Sequence, residues 1–228
     1  MYKITLSRAE EIHEVLKPYV KKSAYKFRGQ SDARWGLVPK AGRKTFNNAY
    51  DKEIFRHWKR RAIGLLKRNY DRDIDYLAVA QHTGLPTRLL DWSHNPLIAF
   101  FFAVNENENI DGAIYAYKPN LEEINFDESF NPFRLARDYI FYQPFSTSNR
   151  LDNQFGHFTV HNSPTTPFED VCQGDLIKII IPHSLKKDIL FNLNQYGINN
   201  LSIYPDLEGL AKHLSWFYEN FGEWQSAP

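Results

Sequence analysis

A chain of 228 residues, 43% hydrophobic and 15% aromatic, has the material for one buried core and lacks the low-hydrophobicity, high-charge composition of disorder. Its 28 Lys and Arg against 27 Asp and Glu leave a net charge of +1, which excludes a general attraction to polyanions and leaves nucleic-acid binding only to a local patch. The one cysteine, Cys172, excludes an intrachain disulfide and a multi-cysteine zinc cluster and suits a reducing compartment.

Met1-Tyr2-Lys3-Ile4-Thr5 carries no apolar signal region, and the longest apolar run, Leu97 to Val104, is too short to span a bilayer. A cytoplasmic location without membrane association is expected. Ser7 ahead of Ala9, Ile12, Val15 and Leu16 predicts a first helix over about 8–16, stopped near Pro18. Tyr25 to Gly29 alternates apolar and polar residues before a glycine and reads as a short strand with Arg28 opposite Phe27. Gln30 to Asn48 reads as loop, with Trp35, Leu37 and Val38 as inward anchors. A helix is predicted from Asp51 to Asn69, because Phe55, Trp58, Ala62, Leu65 and Leu66 share a face at helical spacing.

Asp73 to His82 reads as the next helix, ended by a left-handed cap at Gly84 and by Pro86. Thr87 to Trp92 is a brief extended piece. Asn95 caps and Pro96 opens an apolar helix, Leu97 to Val104. Asp111-Gly112 is a turn before a buried strand, Ala113 to Tyr117, closed by Pro119. Residues 120–150 give no clear pattern. Gly156 to His161 and Leu176 to Ile181 read as strands of the core sheet. Ser184 caps a helix to about Tyr196, ended by Gly197; Asn200 to Tyr204 is a short strand, and Leu207 to Tyr218 the last helix. Strands and helices mix without strict βαβ alternation, and no repeat or linker appears, so residues 1–228 are predicted to form one α+β domain.

The chain contains no GxGxxG, Walker loop, HExxH or GxSxG elbow. The basic run Arg56-His57-Trp58-Lys59-Arg60-Arg61 is flanked by acids and reads as a solvated helix face. His82 with His94, and His157 with His161, lack matching cysteine or carboxylate spacing, so no metal site is expected. Two places stand out. Arg28 sits at a strand end before a glycine, where backbone can approach a ligand while a guanidinium grips phosphate; the plainer alternative is an ion pair with Asp32 or Asp91. The stretch Gln81 to Pro96 gathers His82, Thr87, Arg88, Asp91 and Ser93 around a rigid turn beside an apolar helix; here the alternative is that Arg88 and Asp91 pair to hold the loop.

Phe27-Arg28-Gly29-Gln30-Ser31-Asp32 and Ala80-Gln81-His82-Thr83-Gly84-Leu85-Pro86-Thr87-Arg88-Leu89-Leu90-Asp91-Trp92 resemble the FRG domain. The resemblance continues through Pro96-Leu97-Ile98-Ala99-Phe100, Asp111 to Ile114, Asn153 to Thr159 and Tyr204 to Leu210, and so covers about residues 25–214. The family name describes a sequence pattern and supplies no reaction. A weaker resemblance does. Arginine-specific ADP-ribosyltransferases order an aromatic-Arg-Gly strand, a serine-bearing strand leading into an Asn-Pro-started helix rich in Ala and Phe, and an apolar strand. Here these are Phe27-Arg28-Gly29, Leu90 to Ala103, and Gly112 to Tyr117.

That likeness implies a mixed, mostly antiparallel central sheet with flanking helices. It also implies NAD as substrate, held by Phe27, Arg28, Gly29, Thr87, Arg88, Trp92 and Ser93, with Arg28 on a phosphate. The acid that would stabilise an oxocarbenium-like transition state is normally a glutamate on a later strand; here Gln154 holds that place, and Asp91 or Glu208 is the replacement, with His82 shaping the site. Ser146-Thr147-Ser148 imitates the Ser-Thr-Ser strand of those transferases but reads as loop. The expected function is an enzyme that cleaves NAD and transfers ADP-ribose to a protein or nucleic-acid acceptor, as a toxin or phage-defence effector with room for an antitoxin or other regulatory partner. The alternative is a non-catalytic module that binds a nucleotide or a partner chain.

Overall fold

A computed structural model of the chain describes residues 1–20, 24–46, 50–66, 68–119, 129–144 and 156–222. Its centre is a seven-stranded sheet. In chain order the strands are β1 (Tyr2–Thr5), β2 (Lys26–Gln30), β3 (Leu89–Ser93), β4 (Gly112–Pro119), β5 (Tyr139–Tyr142), β6 (Gly156–His161) and β7 (Gly174–Ile181). Across the sheet they run β1-β7-β4-β2-β3-β6-β5. Only the β1–β7 pair is parallel; the others are antiparallel. The α+β class and the mostly antiparallel sheet with flanking helices are therefore present.

The helices are α1 (Ile12–Val20), α2 (Asp51–Ala62), α3 (Asp73–His82), α4 (Pro96–Val104), α5 (Phe168–Val171), α6 (Lys186–Gln195), α7 (Asn200–Ile203) and α8 (Leu207–Phe221). Strand alternation divides the core. On β4, Ile114 and Ala116 face one way, into a cluster with Phe27, Ile179 and residues of α1, α4 and α6. Ala113, Tyr115 and Tyr117 face the other, with Trp92, Leu37 and Phe168. A third cluster packs Phe55, Ile74 and Leu77 of α2 and α3 on Leu89, Phe158 and Val160. Phe27 lies opposite Ser93, and Asp91 opposite Phe158, so the α4 and α3 clusters cover the same face of the sheet from its two halves.

The halves barely join. β2 meets β4 over five register pairs, Lys26–Tyr117 to Gln30–Ala113, and β3 meets β6 over five, Leu89–Val160 to Ser93–Gly156. Between β2 and β3 the register holds one pair, Phe27 with Ser93. The strands then splay, with α4 lying over β2 so closely that a Cβ on Gly29 would stand 1.9 Å from the Ala99 carbonyl oxygen.

Several expectations need correction. The first helix begins at a 3-10 turn over Ala9–Glu11 and continues through Pro18 to Val20. A proline in the last turn removes one N–H donor to the carbonyl four residues back, and on this exposed face water can replace it. α2 stops at Ala62 before Gly64 rather than at Asn69, leaving Leu65 86% exposed. Trp35 is exposed, while Leu37 is fully buried. Asn200–Ile203 is helical because Asn199 caps it, accepting from the Leu201 and Ser202 amides. α6 starts at Lys186 after a 3-10 turn, without a Ser184 cap. Ser146-Thr147-Ser148 lies outside the described residues.

Candidate functional site

Where the β2–β3 ladder ends, a side chain takes over from the backbone. Arg28 Nη1 donates to the Asp91 carbonyl at 2.9 Å and to its carboxylate Oδ2 at 3.3 Å. The same Oδ2 accepts from Gln81 Nε2 at 3.0 Å, and Gln81 Oε1 accepts from the Thr87 hydroxyl at 2.5 Å. Thr87 Oγ1 in turn accepts from the Leu89 amide at 3.1 Å. The amide of Gln81 is thereby oriented, donor toward Asp91 and acceptor toward Thr87. The last turn of α3 and the start of β3 thus hold one carboxylate between an amide and a guanidinium.

This carboxylate borders a cleft of about 250 Å³ over the split in the sheet. Arg28, Gln81, His82, Asp91 and Ser93 form its polar side, and Ile98, Phe102, Phe158 and Tyr204 its apolar walls, with Phe27 and Gly29 at β2 and Trp92 at β3. The Asp91 side chain is 53% exposed and the Arg28 side chain 13%. Arg28 Nε is buried and has no hydrogen-bond partner among the described residues. The geometry therefore presents an open carboxylate beside a largely buried guanidinium with an unused donor. Ser93 is buried, and its Oγ accepts from the Asn95 amide at 3.0 Å, fixing the turn into α4, which Asn95 caps through the Leu97 amide.

Other residues singled out in the sequence lie elsewhere. Arg88 is a strut: its Nε and Nη2 donate to Asp51 at 2.8 and 2.9 Å, its Nη1 to the His161 and Asn162 carbonyls, and its guanidinium stacks 4.8 Å from the Phe133 ring centroid. It pairs with Asp51 at the start of α2 and not with Asp91; of the ion pairs weighed from the sequence, Arg28 with Asp91 is the one that forms. Thr87 is buried and reaches the cleft only through Gln81. The indole of Trp92 is buried, donating to Thr159 and packed on Tyr117 and Phe168.

Glu208 is exposed in the first turn of α8, ion-paired to Lys212 at 2.7 Å. Asp206 caps the same helix through the Gly209 amide, and Glu169 accepts from the Leu37 amide. Gln154 lies outside the described residues. Among the described residues, Asp91 is the only carboxylate lining the cleft. His157 and His161 share one face of β6, opposite to Phe158 and Val160, and both are buried. His161 bonds Thr159 at 3.0 Å, and burial, then Arg28 and Arg88, pushes its pKa down to about 3. No group of three metal-binding side chains occurs among the described residues, and no described helix is long and apolar enough to cross a membrane.

Sequence reasoning passed over Gln81 and Tyr204 as site residues. Gln81 had a local signal, a polar residue in the last turn of a helix that ends at a rigid Gly/Pro turn. Tyr204 had only its place in the FRG resemblance, since tertiary packing brings it to α4, where its ring meets Phe102 edge-on at 6.5 Å.

Residues 23–112 match the family model for the FRG domain, a stretch that runs from β2 to the first residue of β4 and supplies every polar residue of the cleft wall. Neither a curated protein nor a solved structure matches the chain.

Proposed function

Starting from a chain that carries an FRG domain, we propose that it is an NAD-consuming, ADP-ribosyltransferase-like enzyme. The observation that supports this reading is the convergence of Arg28, Ser93 and one carboxylate, Asp91, on a single cleft walled by aromatic rings. In this reading Asp91, which lines the cleft, is the acid, and Glu208, exposed and paired to Lys212, is not. Such a constellation suits a dinucleotide: the guanidinium offers planar donors to phosphate, and the aromatic walls offer a face to nicotinamide.

In the proposed reaction the bond between ribose C1′ and the nicotinamide nitrogen breaks, and its electron pair leaves with neutral nicotinamide. The positive charge that develops on the ribose is stabilised by the Asp91 carboxylate, held in place by Gln81 and Arg28. A nucleophile of the acceptor, or water, then bonds to C1′ and gives its proton to Asp91 or His82, both at the cleft. The acceptor is a protein or a nucleic acid, and an enzyme of this kind would serve as a toxin or phage-defence effector.

The test is release of nicotinamide from NAD by the full chain. Arg28→Ala and Asp91→Asn are expected to lower the rate at least 100-fold, with Glu208→Gln equal to wild type. Activity retained in Asp91→Asn would refute the assignment of the acid. Binding of NAD without any release, with cell lysate supplied as acceptor, would identify a binding module instead.

A further inference from the structure

The outer face of α2 carries cations that the fold does not use. Lys52, Arg56, Arg60 and Arg61 are all exposed, and none has an ion pair among the described residues, against one acid on the same face, Glu53. The inward charges of α2 are committed: Asp51 is held by Arg88, and Lys59 by Asp73 at 2.6 Å and over the Tyr76 ring. Lys52, Arg56 and Arg60 stand at i, i+4 and i+8, a row of about 12 Å at the helical rise of ~1.5 Å per residue. Arg56 and Arg60 with His57 and Glu53 border a shallow groove. Like charges at i, i+4 lower helix stability slightly, and Lys52 stands at the positive end of the helix dipole; Arg60, in the last turn, is the member of the row that suits it.

We propose that this face of α2 is a docking surface for the phosphate backbone of a nucleic acid. A strand presents one phosphate per ~3.4 Å of helix axis, so a row of that length meets several without a change of direction. A chain of net charge +1 has no general attraction for such a polymer, and the local excess of cations supplies one. An anionic membrane fits less well. The apolar stripe of α2, Phe55 and Ala62, is buried in the core and cannot enter a bilayer, which leaves exposed apolar side chains at the two helix ends, Tyr50 before it and Ile63 and Leu65 past it. The first residue of α2 is tied to the chain just before the strand that bears Asp91. Asp51 bonds Arg88, and Arg88 precedes Asp91 by three residues of β3, about 10 Å of strand. That the bound strand is the ADP-ribose acceptor rests on the function proposed above; the binding itself does not.

The experiment is fluorescence anisotropy of the full chain with a labelled 20-nucleotide single strand and the corresponding duplex, at 50 and 200 mM salt. Four phosphate contacts predict an affinity for the single strand that falls about 50-fold over that range, from a slope of about −0.7 per contact. The variant K52E/R56E/R60E/R61E should lose binding at 50 mM. The corresponding glutamine variant, which removes charge without reversing it, should lose most of it at an unchanged melting temperature. No binding by wild type at 50 mM, or equal binding by the glutamine variant, overturns the proposal, whatever the result with NAD. So does flotation with phosphatidylserine vesicles by a wild type that ignores both oligonucleotides.

Discussion

Arg88→Ala is expected to be among the most destabilising single changes in the chain. The Arg88 and Asp51 side chains are 7% and 4% exposed, and their paired bonds are 2.8 and 2.9 Å long. Truncation removes both bonds, two more to the His161 and Asn162 carbonyls and the contact with Phe133, and leaves the Asp51 carboxylate buried without a counter-charge. Breaking one partner of a buried pair costs about 3–5 kcal/mol. Domain stabilities run about 5–15 kcal/mol, so about a fifth or more of the total is at stake. Removing both charges tests the cause. In Arg88→Met/Asp51→Leu the orphaned carboxylate is gone, and the remaining deficit is the two carbonyls, about 1 kcal/mol each. Equilibrium urea unfolding of wild type, both single variants and the double variant measures this. A loss under about 1 kcal/mol in Arg88→Ala, or a double variant as unstable as that single one, would refute the strut assignment.

Gly29→Ala is expected to yield little folded protein, since its Cβ would meet the Ala99 carbonyl oxygen at 1.9 Å, backbone against backbone; Gly84→Ala, with a φ of 93° and open space around it, should cost only about 1 kcal/mol. Soluble yield and urea midpoints compare the two, and a well-folded Gly29→Ala would contradict the close seating of α4 on β2. Burial holds the pKa of His161 near 3, below its unfolded value, so its contribution to stability is complete above about pH 6.5 and declines as pH falls toward 3. The slope is about 1.4 kcal/mol per pH unit, or about 2 kcal/mol between pH 6.5 and 5, before carboxylates titrate. His94 and His213, also lowered by burial, add in the same sense. His161→Gln should flatten the dependence, and equal wild-type stability at pH 7 and pH 5 would show that His161 is not held neutral.

What could be read from the sequence was what local chemistry decides. α3, α4 and β6 begin and end close to where they were predicted, because Gly84 takes a positive φ, Asn95 and Pro96 start a helix, and Gly156 to His161 alternates polar with apolar residues, although the sheet buries both faces of the strand. β1 was not read, since Tyr2–Thr5 becomes a strand only by pairing with Ile177 to Ile180 far along the chain. β5, Tyr139–Tyr142, has four apolar or aromatic residues without period-2 alternation, and it depends on β6 for its ladder. The site divides the same way. Arg28 and Asp91 could be singled out from their neighbours in sequence. The partner of Arg88 could not, because Asp51 lies on another helix 37 residues away.

The two arginines also show why the cleft charges are not explained by the fold. Each of the three guanidinium nitrogens of Arg88 donates to a protein acceptor, and its removal would leave a hole in the charge balance of the core. Arg28 holds a carboxylate that is 53% exposed, a kind of pair worth about 0–1 kcal/mol, while its own Nε is buried unpartnered, which costs about 1–3 kcal/mol. The net of those two figures is at best neutral for stability. A splayed ladder adds to the deficit, since β2 and β3 share one register pair where their outer neighbours share five. An arrangement that stability does not favour, at the open end of a split sheet and beside aromatic walls, is the kind of local conflict that supports the ligand site proposed above.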